Sequence, residues 1–155
     1  MKFLAYLLPL LLLCGGCATG SPGDSLQAWI LREATHGPYP RTLTRCESLG
    51  QGHTHAFTLA LDAPARASLD CGQGLVLKVL GPGYTDGRAW LILADADGDG
   101  ILDLHFSARL LPEDQPYTAF FLYRPDAWER YLLPGAQIAP AAPFAAAAPS
   151  PSKEP

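Results

Sequence analysis

The sequence lacks most of the features that announce an activity. No basic stripe with interleaved aromatics runs through it, which argues against a nucleic-acid partner. No nucleophile elbow surrounds Ser48, Ser68 or Ser107, and Gly81-Pro82-Gly83 leads into a strand pattern rather than the helix a phosphate loop needs. The longest apolar run, Phe3–Leu13, is too short for a normal membrane span and is interrupted by Pro9. Cysteine is scarce, with four in 155 residues, and Cys46 and Cys71 alone lie beyond the first 17. Two thiols without a second pair make a poor zinc site.

What the sequence does have is acid concentrated in one place. Asp95-Ala96-Asp97-Gly98-Asp99-Gly100-Ile101-Leu102-Asp103 packs four carboxylates into nine residues between two apolar runs. The whole formal charge of −4 equals these four aspartates, since the remaining acids and bases balance. So much like charge in a tight loop favours a cation, and oxygen ligands at alternate positions suit a hard ion such as calcium. With Asp95 as position 1, Asp97 and Asp99 take positions 3 and 5 and Gly100 supplies the sharp turn at 6. Ile101 offers its carbonyl at 7, and Asp103 is a ligand, direct or through water, at 9. Position 12 is Phe106 rather than the Glu of an EF-hand, and the flanks Ala89–Ala94 and Ile101–Ala108 read as strands. The D-x-D-x-D-G-x-x-D pattern between strands therefore resembles the calcium-binding β-hairpin of integrin-type propeller repeats and related bacterial modules. One copy does not make a propeller. The alternative is an Asp/Gly-rich hairpin turn with no metal.

The N-terminus reads as an address. Lys2 precedes the apolar run, and Cys14-Gly15-Gly16-Cys17 then resembles a bacterial lipobox. That resemblance implies a signal peptide over 1–16, lipid on Cys17, and outer-membrane sorting from Ala18. Ordinary secretion, with cleavage after Ala18-Thr19-Gly20, is the alternative. Either route leaves Cys46 and Cys71 as an even pair in an oxidising compartment, where a disulfide is expected. It would close a loop of about 25 residues and stabilise by roughly 3 kcal/mol.

Residues 17–25 read as a tether. Asp24 or Ser25 then caps a helix in which Leu26, Trp29, Ile30 and Ala34 recur at helical spacing, ended by Gly37-Pro38, with His36 at its C-terminus. Alternation begins at Ala56 and continues through Phe57–Leu61, Ala67–Cys71, Leu75–Val79, the apolar Ala89–Ala94 as a central strand, Leu102–Ala108 and Tyr117–Tyr123. In the fifth of these, Leu102, Leu104, Phe106 and Ala108 point inward, and Asp103, His105 and Ser107 outward. Pro125-Asp126 is expected to open a short helical turn carrying Trp128, Tyr131 and Leu132. The fold class is mainly β: a small antiparallel sandwich over 26–133 with one N-terminal helix. The order of elements over Ser48–Arg124 resembles the bacterial pre-peptidase C-terminal domain, which implies a β-sandwich able to bind calcium. Residues 134–155 include 6 Pro and 8 Ala and read as a disordered tail.

Function at this stage is an expectation of class. The leading one is a non-enzymatic envelope lipoprotein whose calcium-stabilised β-domain is a binding or structural module, with the membrane and an envelope protein as partners. The other is a secreted hydrolase or inhibitor-like accessory built on a His metal site, for which His53-Thr54-His55 and His105 are the candidates.

Overall fold

The computed structural model describes residues 24–131 and the backbone of residues 144–145. The expected signal peptide, Cys17 with its expected lipid, the stretch to Gly23 and most of the C-terminal tail lie outside the described residues.

Helix α1, Leu26–Ala34, begins where capping chemistry places it: the Ser25 side-chain oxygen accepts the Ala28 N–H at 3.1 Å. Leu26, Trp29 and Ile30 form its buried stripe. At the far end the Thr35 hydroxyl donates to the Arg32 carbonyl at 2.7 Å, and His36 Nδ1 reaches the same carbonyl at 2.9 Å. His36 thus satisfies a helix end, as its position suggested.

The rest is two antiparallel sheets. The first joins β1 (Arg41–Gly50), β2 (His53–Ala63), β3 (Arg66–Asp70) and β4 (Val76–Leu80) in chain order. The second joins β5 (Trp90–Ala94), β6 (Asp103–Leu110), β7 (Gln115–Arg124) and β8 (Ala127–Tyr131). Phe57, Leu59 and Leu61 of β2, Leu69 of β3, Leu77 of β4, and Leu104 and Phe106 of β6 are fully buried; together with Leu26, Trp29 and Ile30 they form one core. This is the expected β-sandwich with one helix. Within the tail, β9 (Phe144–Ala145) pairs with Leu77 and Val76 on the outer edge of β4, so that stretch is not wholly without structure.

Several expectations need correcting. The first strand starts at Arg41, not Ala56. Its inward positions include Arg45, buried at 5% exposure with its guanidinium 5.8 Å from the Trp29 ring, so the alternation does not read as apolar. Residues 127–131 form a strand, not a helical turn; Pro125-Asp126 turns a hairpin in which Trp128 faces Tyr123. Strand β5 is an edge rather than a centre. The helix covers part of that edge: Gln27 Oε1 accepts the Leu91 N–H at 2.9 Å and its Nε2 donates to the Ala89 carbonyl at 3.3 Å, as a neighbouring strand would.

The expected Cys46–Cys71 disulfide is not formed. Cys71 is a free, buried thiol. Cys46 lies opposite Ala56, on the outward face of β1, while Cys71 follows Asp70 opposite Thr58 and so sits beside inward-facing Phe57. The two are on opposite faces and two strands apart, about 9–10 Å, whereas bridged Cα atoms lie within about 7 Å. Cys46 has a partner of its own. Burial raises the Cys71 thiol pKa well above its ordinary value, which makes it inert rather than nucleophilic.

Candidate metal centre

The Asp95–Ile101 loop leaves β5 and folds on its own carboxylates. Asp95 Oδ1 accepts the Gly98 N–H at 2.7 Å and Oδ2 the Gly100 N–H at 2.9 Å. Asp97 Oδ1 accepts from Asp99 N at 3.2 Å, and Asp99 Oδ1 from Ile101 N at 2.8 Å. Each Asp thereby replaces a backbone turn with a side-chain one, and Gly98 and Gly100 supply the φ values of +79° and +83° the chain needs between them. The outcome is that Asp95, Asp97 and Asp99 present one carboxylate oxygen each within 4.8 Å of one another, all three exposed. Oxygens at about 2.4 Å from a common calcium ion lie no more than about 4.8 Å apart, and the trio meets that upper bound. Among the described residues it is the one group of three or more His, Cys, Asp or Glu with metal-binding proximity.

The loop is anchored from both sheets. Gln51, in the β1–β2 turn, donates to the Asp99 carbonyl at 2.6 Å, and Leu102 N donates to the Leu49 carbonyl at 2.7 Å. Gly50 comes so close that a Cβ on it would stand 2.8 Å from the Gly100 oxygen. On the other side Arg124, at the end of β7, reaches Asp97 Oδ2 at 2.9 Å, Asp99 Oδ2 at 3.4 Å and Glu129 Oε2 at 3.2 Å. Its hydrogen bond holds the Asp97 carboxyl below the usual carboxylate range. One guanidinium thus partly neutralises three exposed carboxylates. Neither Arg124 nor Gln51 could be found from the motif, because each is brought in by strand pairing from far along the chain.

Asp103 is held differently from the other three aspartates. Its backbone parity matches that of His105, yet it is 1% exposed. Its Oδ2 accepts the Ala96 N–H and its Oδ1 the Tyr123 N–H, both at 2.8 Å. It ties the root of the loop to β7 and stands outside the group of three. Of Ile101, the structure shows its N–H bonded to Asp99.

The histidines do not assemble. His53 and His55 share the inward face of β2, and His55 Nε2 bonds the Cys71 carbonyl at 2.5 Å, which takes that nitrogen out of use as a ligand. Tyr123 and Trp128 pack edge-on against the His55 ring, and Trp128 Nε1 donates to the same carbonyl at 2.7 Å. His105 lies on the outward face of the second sheet, stacked on Phe120 with ring centroids 4.3 Å apart, and desolvation lowers its pKa. His105 is thus on a different sheet and face from His53 and His55, and no metal-binding cluster among the described residues contains any of them.

Comparison of the chain with protein-family models, curated proteins and solved structures finds no match. Among the described residues no helix is long and apolar enough to cross a membrane.

Proposed function

We propose that the chain is a non-enzymatic cell-envelope lipoprotein, held at the outer membrane by lipid on Cys17. Its β-sandwich takes calcium in the Asp95–Ile101 loop and serves as a binding or structural module. The observation that carries this reading is the proximity of Asp95, Asp97 and Asp99, whose carboxylate oxygens lie within 4.8 Å of one another. Two further features support it. The carboxylates are pre-oriented by backbone N–H groups, as metal-ligating carboxylates generally are. The loop also joins the two sheets, through Gln51 on one side and Arg124 on the other, so an ion there would stiffen the whole end of the sandwich.

In this reading Asp95, Asp97 and Asp99 are ligands, Ile101 adds its carbonyl, and Asp103 positions the loop. Arg124 fills the charge deficit when no ion is bound. The hydrolase reading gains no support, since its three histidines are dispersed.

Two measurements test the proposal. Melting with calcium and with a chelator reads the loop: at a calcium concentration of about 100 times Kd the gain is about 2.7 kcal/mol, a shift of the order of 10 °C for a domain of this size. Equal melts in the two conditions would reject the calcium role. Fatty-acid labelling of the full chain beside Cys17→Ala reads the anchor; label retained in the variant, or absent from both, would reject the lipoprotein address.

A further inference from the structure

The lipid-anchor reading fixes one dimension. From Cys17 to Asp24 the chain can span at most about 25 Å, so the start of α1 stays close to the bilayer. Ser25, its N-cap, lines a groove of about 430 Å³ together with Gln27, Glu47 and the β5 residues Trp90 to Leu93. The first described residues of the chain therefore lie beside β5.

That strand carries the most exposed apolar surface among the described residues. Trp90 is 42% and Ile92 55% exposed, both on the outward face. The face continues across the sheet in the register Ile92, His105, Phe120 and Tyr131, the last also 42% exposed. Strand β5 has no charged residue to discourage association, and Gln27 covers only its first half. At its rim Arg88 holds its guanidinium 4.3 Å over the Trp90 ring. Trp beside Arg at the rim of an aliphatic patch is the composition that settles at a headgroup boundary.

We propose that the outward face of β5, around Trp90 and Ile92, rests on the lipid surface to which Cys17 is anchored. The sandwich then lies against the bilayer on its β5 edge instead of projecting from it. The inference depends on the lipid-anchor reading, because the short tether is what brings this edge to the membrane. It is independent of calcium.

The test uses the full chain from a host that lipidates it, reconstituted into phosphatidylcholine vesicles with and without brominated acyl chains. Intact mass reports the lipid on Cys17 separately, so failure of the anchor is seen as such and takes the inference down with it. In the lipidated protein, brominated lipid should quench the Trp90 emission by at least about twofold. The quenched component should vanish in Trp90→Phe and shrink in Ile92→Glu, a change at an exposed position. Trp29, buried in the core, and Trp128, bonded to Cys71, serve as internal references. Lipidated protein with unquenched Trp90 would overturn the inference. So would Trp90 becoming shielded from iodide only as surface density rises, which would give the face to a second copy of the chain.

Discussion

The aspartates of the 95–99 loop and the histidines at 53, 55 and 105 offer similar ligand chemistry and meet different fates. The three Asp lie at alternate positions of a single tight loop. Their convergence is set by local turns, each closed by a carboxylate on a nearby N–H. The histidines depend on tertiary structure to meet, and the tertiary structure separates them: two face inward from the first sheet and one faces outward from the second. A ligand set contained in ten residues is decided by local geometry, whereas one spread over fifty is decided by strand register.

The contrast can be broken most forcefully at Asp103, which belongs to the motif but not to the trio. Asp103→Ala strips two interior N–H groups of their acceptor, and each such loss costs about 1–3 kcal/mol. We expect a loss of about 3 kcal/mol, lowering Tm by more than about 10 °C, equally in calcium and in chelator. A loss seen only with calcium present would restore Asp103 to the ligand set. Gly50→Ala comes next. It places a side chain at φ +91° and a Cβ against the Gly100 carbonyl, so a cost of about 2 kcal/mol is expected in a chemical-denaturation curve, together with weaker calcium binding. An unchanged affinity would mean that the loop does not need the β1–β2 turn.

Arg124→Gln sharpens the comparison from the charge side. Removing the resident cation should strengthen calcium binding a few-fold. It should also change the acid response. Asp97 has its folded pKa depressed by Arg124, so its contribution to stability is present above the ordinary carboxylate pKa and is lost as pH falls through the lowered folded value. In Arg124→Gln the Asp97 carboxyl should titrate closer to its ordinary range by NMR; an unmoved titration would remove Arg124 as the cause. The smallest effect belongs to the histidines. Zinc titrations of His53→Gln and His105→Gln should match the parent chain, and a lost site in either would reopen the His centre.

How much of this was legible depended on distance along the chain. Helix α1 was readable because its cap and apolar stripe fit within ten residues. Strands β2, β3, β4, β6 and β7 were readable from alternation. Strand β1 was hidden because its inward face carries Arg45, which becomes acceptable there through Trp29, Glu47 and the Asp24 carbonyl. Trp128 and Tyr131 imitate a helical spacing, and only their pairing with Tyr123 and Phe120 shows a strand. The cysteine count suggested a bridge, but parity places Cys46 and Cys71 on opposite faces. The Asp trio was visible in full. Its Arg124 counter-charge was not, since nothing local to residues 95–103 points to a guanidinium more than twenty residues away.

The most direct test of the central claim is a calorimetric calcium titration of the chain beside an Asp97→Ala, Asp99→Ala variant. Saturable binding of one ion, abolished in the variant while the metal-free melt of the variant stays close to the parent's, is the predicted result. Absence of binding in the parent, or equal binding in both proteins, would contradict the account and leave the loop as an acidic turn held by Arg124.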